Sequence, residues 1–171
     1  MSTSAVEGSV LFTDLVGFTE FNDDRGDDAA LEVLEHQRTV VDAVLVEDSG
    51  ARVVKELGDG LMIWFDSTAD ALRLSLDLRS AIEVARSDDG FPLAVRMGLH
   101  HGEALARGDD LVGSMVNIAA RVCDLAGPGE LLVSEAAVNA AGDATDTRSI
   151  RAVGPARVKG VGEPIWLHRV A

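Results

Sequence analysis

Two hydrophobic periods alternate along this chain. Short runs rich in Val, Leu and Ile, at about residues 9–14, 52–57, 61–65, 92–100, 130–134, 147–152 and 164–170, predict strands. Between them the spacing turns helical. Over 28–47, Leu31, Leu34, Val41 and Leu45 predict one apolar stripe, with Glu32, Glu35 and Asp42 on the other side. A second helix over 67–86 opens with Ser67 and Asp70 at capping-box spacing. A third, over 113–126, stops at Gly127-Pro128-Gly129, and a short fourth fits 135–141. Strands alternating with long helices predict an α/β or α+β sandwich, helices packed on a sheet. "ELGDGLMIWF" reads as a tight hairpin turning at Gly58-Asp59-Gly60.

Composition narrows the class. With 171 residues, 47% of them hydrophobic, the expectation is one domain over 1–171 with its first seven residues flexible. No apolar stretch is long enough to span a bilayer, and "MSTSAVEG" has no basic start or signal-like core, so no membrane contact is expected. The single Cys123 excludes an internal disulfide framework and fits a reducing, cytoplasmic compartment. A net charge of -14 opposes encounter with a nucleic-acid backbone, so no nucleic-acid partner is expected. Such a chain can still take a small anion, given a metal ion or a local basic cluster. Its cations are thirteen Arg and only two Lys, Lys55 and Lys159. Chance accounts for that, or both places need a compact ammonium on a flexible stem.

Asp14 closes the first predicted strand in "VLFTDLVGFT", and Asp59 sits at the tip of the hairpin. If those strands are neighbours, both carboxylates emerge at one edge of the sheet. Paired Asp side chains beside glycines suit hard divalent cations, with water and phosphate oxygens completing the shell. Taken singly, each has a plainer reading: "GDG" is a turn, and a strand-terminal Asp is often a helix cap. Spacing leaves both open.

"LFTDLVGFT", "VVKELGDGLMIWF", "VRMGLHHGE", "GDDLVGSMVNIAARVCDLAGPGELLVSE" and "RVKGVGEP" follow one another from about residue 8 to the end. In order and approximate spacing these blocks resemble class III nucleotide cyclase catalytic domains. The resemblance implies a ferredoxin-like βαββαβ core with extra C-terminal strands. It also implies a head-to-tail homodimer with two shared active sites, and conversion of ATP to cyclic AMP and diphosphate. Asp14 and Asp59 then correspond to the metal ligands for two cations per site, Mg2+ or Mn2+. Gly17, Phe18 and Thr19 would let backbone amides approach the triphosphate. Asn117 and Arg121, at i and i+4 of one helix, would orient the ribose and reach the α-phosphate. Arg96 and Lys159 would hold the terminal phosphates, Lys159 from a loop loosened by Gly160 and Gly162.

Base choice, on the same resemblance, falls to Lys55 and Asp110. Adenine offers an acceptor at N1 and a donor at its amino group, complementary to an ammonium and a carboxylate. Guanine reverses both polarities, so ATP is the expected substrate. A guanylate cyclase would need an acidic residue at position 55. An inactive, nucleotide-binding regulatory module would lack a metal aspartate or the helix arginine, and here none is missing. Without the resemblance, a polymerase-like two-metal enzyme also fits the paired aspartates, but the acidic charge and missing basic groove oppose it. Val112, Ser114 and Met115 depart from the usual residues beside the base and ribose. "GEALARGDD" leaves room only for a small dimer-clasping extension. His100 and His101, adjacent in a strand, point to opposite faces and are expected to be structural. Cys123 is expected to pack.

Overall fold

The computed structural model describes residues 3–46, 49–144 and 149–171. In chain order the elements are β1 (Thr3–Leu15), α1 (Phe18–Arg25), α2 (Asp27–Val44), β2 (Ala51–Leu57), β3 (Gly60–Phe65), α3 (Thr68–Asp88) and β4 (Val95–Arg107). There follow β5 (Asp110–Val112), α4 (Ser114–Leu125), β6 (Leu131–Ser134), α5 (Glu135–Ala141), β7 (Ile150–Ala156) and β8 (Ile165–Val170). The strands form one sheet in the order β2-β3-β1-β4-β6-β8-β7, with β5 paired to β4. The run β1-α-β2-β3-α3-β4, with β4-β1-β3-β2 side by side, is the ferredoxin-like core expected; β6, β8 and β7 extend it beyond β4.

Strand alternation sorts side chains between two unequal layers. Leu11 and Leu15 of β1, Ile63 of β3 and Val95, Met97 and Leu99 of β4 face a large core closed by α2, α3 and α5. The opposite face carries Val10, Met62 and Trp64, over which α4 is the one helix among the described residues, packing through Met115 and Ala119 beside Leu111 of β5. Asp14 and Arg96 belong to that second face by the same alternation. One helix cannot cover a sheet this wide, so polar side chains stay accessible beside it.

Gly98 sets how closely α4 sits. A Cβ at this position would lie 2.1 Å from the Cys123 backbone nitrogen, which no side-chain motion can relieve. Gly98→Ala is therefore expected to cost about 3 kcal/mol and lower Tm by about 6–12 °C in a thermal melt. A Tm unchanged by the substitution would show that the helix adjusts freely.

Several expectations shift. The flexible start over residues 1–7 is strand from Thr3 onward, paired with the far end of β4 up to Arg107, while residues 1 and 2 lie outside the described residues. The strand expected over 92–100 begins at Val95 and runs on to Arg107. Residues 147 and 148 of the strand expected at 147–152 are likewise outside, and β7 runs on to Ala156. The stripe of α2 is rotated: Ala30, Val33, Gln37 and Val41 are buried, whereas Leu31 is 56% exposed. The helix faces the core through smaller residues, and Leu31 and Leu34 line a groove against Leu61 of the hairpin. The histidines diverge as alternation requires. His100 is buried 2.7 Å from the Ser134 hydroxyl, and burial, with His101 beside it, pushes its pKa down to about 4. His101 meets Thr68 at 3.0 Å and Glu7 at 3.3 Å.

Candidate active site

The end of β1 and the β2–β3 turn meet because β1 and β3 are antiparallel neighbours, with Thr13 opposite Leu61. Asp59 Oδ2 accepts the Leu15 N–H at 2.9 Å. The buried Gln37 side chain, from α2, donates to the Asp59 carbonyl at 3.2 Å and steadies the turn. Gly60 permits the approach, since a Cβ there would stand 3.1 Å from the Thr13 carbonyl. Arg96 is directly opposite Asp14 in the β1–β4 register, and its Nε and Nη2 donate to Asp14 Oδ2 at 2.8 and 2.7 Å. Burial opposes the Arg96 charge, but the Asp14 carboxylate outweighs it and the guanidinium pKa is raised.

Burial raises the Asp59 pKa, and the neighbouring Asp14 carboxylate adds to the rise against the Leu15 N–H, which lowers it. A carboxylate whose charge is disfavoured by burial and by a neighbouring carboxylate suits an intervening divalent cation, and both Asp59 and Asp14 offer the hard oxygen donors it needs. Among the described residues no three His, Cys, Asp or Glu side chains form a closed chelate, so most of such an ion's shell would come from water and ligand oxygens. The raised pKa also carries a sign for stability. The folded chain holds a proton at Asp59 more tightly than the unfolded one, so stability falls as pH rises from the ordinary Asp value through the folded pKa. Asp59→Asn keeps an acceptor for Leu15 and removes this repulsion. It is expected to raise the metal-free Tm at pH 7–8, with the gain vanishing as pH falls toward the ordinary Asp value; a lower Tm at pH 8 contradicts this.

Lys55 and Asp110 form a second cluster. Lys55 Nζ donates to Asp110 Oδ2 at 2.7 Å, and the Leu111 N–H donates to the other oxygen at 2.8 Å. The Lys55 bond, then the Leu111 bond, holds the Asp110 pKa below the usual carboxylate range. Arg52 of β2 ties the turn ahead of β5 to this strand through the Asp109 carbonyl, at 3.2 Å.

A third cluster lies along α4. Asn117 and Arg121 are both on its exposed side, opposite the buried Met115, Ala119 and Val122. Arg121 lines an open cleft of about 440 Å³ with Asp124, Leu125, Arg157, Val158 and Lys159. Lys159 rides on a turn closed by the Val161 N–H to the Val158 carbonyl at 3.1 Å, whose next corner, Gly160, has φ 86°. A positive φ there is what a type II turn asks of glycine.

The structure thus brings Asp14, Asp59 and Arg96 together, joins Lys55 to Asp110, and sets Arg121 and Lys159 in one cleft. Arg96 lies on Asp14 and near Asp124 (3.8 Å) rather than in the cleft with Lys159. Gly17, Phe18 and Thr19 are the start of a helix, not a loop: Gly17 has φ 79°, α1 begins at Phe18, and no side chain caps it. Uncapped N–H groups at such an end favour anions. The Phe18 side chain packs against the main core. Gln37 and Asp124 escape sequence reasoning. The only signals were a polar residue on the buried side of α2 and an Asp three residues after Arg121. Cys123 is buried, and its thiol is pushed up to about 12 by burial and by Asp14, so it is inert packing.

Asp14 and Asp59 thus stand at one edge of a mixed sheet, and Arg121 stands on the helix that covers the same face. The adenylate and guanylate cyclase catalytic domain family matches residues 2–168, and the chain belongs to that family. It is 35% identical over 167 residues to the pH-sensitive adenylate cyclase MT1302 of Mycobacterium tuberculosis, covering 95% of this chain and 40% of that protein. The chain spans less than half the length of the curated relatives it matches at comparable identity. Its fold matches the adenylyl cyclase CyaB of P. aeruginosa with TM-score 0.86 at 22% identity, over 100% of this chain and 96% of that one. It matches the guanylyl cyclase Cya2 with TM-score 0.85 at 23% identity, over 100% and 94% of the two chains. The fold is therefore common to enzymes named for either base. Among the described residues no helix is long and apolar enough to cross a membrane.

Proposed function

We propose that this domain is an adenylate cyclase, active as a homodimer with two shared sites, which converts ATP to 3′,5′-cyclic AMP and diphosphate. The observation that carries the choice of base is the Lys55–Asp110 pair, held at 2.7 Å on β2 and β5. One donor and one acceptor stand side by side, matching N1 and the amino group of adenine and opposing both groups of guanine. The name of the Mycobacterium relative favours the same nucleotide.

In the reaction the ribose 3′-oxygen forms a bond to the α-phosphorus. The bond from that phosphorus to the bridging oxygen of the β-phosphate breaks, diphosphate leaves, and the hydroxyl proton passes to solvent. Two divalent cations, Mg2+ or Mn2+, held by Asp14 and Asp59 would supply Lewis acidity for the hydroxyl and neutralise the triphosphate. Arg121 offsets charge building on the α-phosphoryl oxygens, where a fixed cation is worth most. Asn117, one turn earlier, orients the ribose. Lys159, Arg96 and the amides of Gly17–Thr19 hold the terminal phosphates; for this Arg96 exchanges Asp14 for phosphate oxygen.

Sharing between two copies is supported by what one copy leaves open. The recess beside Asp14, bounded by Phe12, Leu57, Gly60 and Ala120, is only about 200 Å³. Ligand sites generally run from about 300 to 1,000 Å³. Leu57 on its rim and Leu125 on the rim of the cleft are each about half exposed, apolar surface that a second copy would cover. One chain would then supply Asp14, Asp59 and Arg96, and its partner Lys55, Asp110, Asn117, Arg121 and Lys159.

Product analysis with ATP and GTP, each with Mg2+ and Mn2+, at several protein concentrations tests the proposal. Cyclic AMP formed from ATP far faster than cyclic GMP from GTP, with specific activity rising with protein concentration, is the expected result. Faster GTP turnover points to a guanylate cyclase, and no cyclic product with either nucleotide points to a regulatory binding module.

A further inference from the structure

We infer that Arg157 is a further diphosphate-binding residue, a cation on the wall of the Arg121–Lys159 cleft that receives the leaving diphosphate. The inference rests on the cyclase reading for the identity of the anion, but its geometry is independent of it. Arg157 and Lys159 flank Val158, which is 6% exposed and anchors the segment in the core, so the two cations emerge together on the solvent side. Both line the cleft that Arg121 lines from α4. Three cations thus meet one acid, Asp124, in a protein whose net charge is -14.

That acid is already engaged. Asp124 accepts from Arg121 at 3.4 Å and lies 3.8 Å from Arg96. Arg25, Arg38, Arg73, Arg86 and Arg169 each hold a carboxylate of their own. Arg157, among the described residues, has no hydrogen-bond or ion-pair partner. A cleft with surplus positive charge and an unpartnered guanidinium fits a polyanion, and the planar fork suits two oxygens of one phosphate.

Arg157 and Lys159 have different supports, which separates their roles. Lys159 is carried by the glycine turn, whereas Arg157 directly follows Ala156, which is paired with Ile165 across β7 and β8. Arg157 is therefore one residue from a paired strand position, while Lys159 lies two residues further on, inside the turn. A cation carried next to the sheet is suited to the product end of the triphosphate.

The test is calorimetric titration of magnesium diphosphate into the full chain, with diphosphate inhibition of turnover measured alongside. Arg157→Ala is expected to weaken diphosphate binding about 10-fold, the scale of one lost charged hydrogen bond. Arg157→Lys should recover part of that loss. Arg151→Ala removes the same charge from β7 outside the cleft and should bind as the unaltered chain does. KM for ATP should rise in Arg157→Ala while kcat stays within about 2-fold, since Arg121 still serves the α-phosphate. Diphosphate binding unchanged in Arg157→Ala, or weakened equally in Arg151→Ala, overturns the inference. Binding needs no turnover, so a chain that makes no cyclic AMP yet loses diphosphate on Arg157→Ala would sink the activity and keep this residue's role.

Discussion

An equimolar mixture of an Asp14→Ala chain and an Arg121→Ala chain is expected to recover cyclase activity that neither has alone. Each variant by itself should fall roughly 100- to 1,000-fold, the usual consequence of removing a group that stabilises transition-state charge. In the proposed shared site, a dimer of either variant carries the same defect twice. In the mixed dimer one site collects both defects, and the other collects an intact Asp14 from one chain and an intact Arg121 from its partner. With random exchange about half the dimers are mixed, so recovery should reach about a quarter of wild-type activity. Both variants should keep their melting behaviour within a few degrees, because Asp14 and Arg121 are partly or largely exposed. No gain on mixing, with exchange verified by a tagged chain, would show that the site is not shared.

Lys55→Glu should change the base that is used. The ammonium contributes the donor to adenine N1 and also holds Asp110 at 2.7 Å. A carboxylate in its place repels Asp110 and accepts where adenine N1 also accepts, while becoming complementary to the N1–H of guanine. The ratio of kcat/KM for ATP to that for GTP is expected to fall at least ~100-fold, most of it from loss with ATP. Steady-state kinetics with both nucleotides and a fixed metal ion reads this directly. A ratio that does not move would remove Lys55 from base recognition and leave the choice of ATP without its main support. The Gly98→Ala melt guards the interpretation of both experiments, since it reports how far a small displacement of α4 disturbs the fold by itself.

Apart from α1 and the three-residue β5, the order of strands and helices was legible from periodicity, because a half-buried strand must alternate and a packed helix must repeat near 3.6 residues. So were the hairpin at Gly58-Asp59-Gly60, the cap at Ser67 and the stop after α4, each written in local backbone chemistry. Motif blocks in order named the family, and their residues gave the expected site. What local pattern could not supply was facing. Leu31 looked like core and is exposed, while Gln37, a polar residue that the pattern did not single out, is buried beneath the Asp59 turn. Which side of a helix turns inward depends on what packs there. The helix at Phe18–Arg25 was missed because its apolar content is slight and it contributes no buried residue.

By itself, then, the chain's residue order determined its elements, its family and the residue types available for chemistry, since these depend on neighbours a few positions away. Only the tertiary structure decided that Asp14 stands opposite Arg96, that Lys55 closes on Asp110, and that Arg157 shares a cleft with Arg121. Those pairings join positions 82, 55 and 36 residues apart, and sheet register with the packing of α4 across Gly98 brings them together.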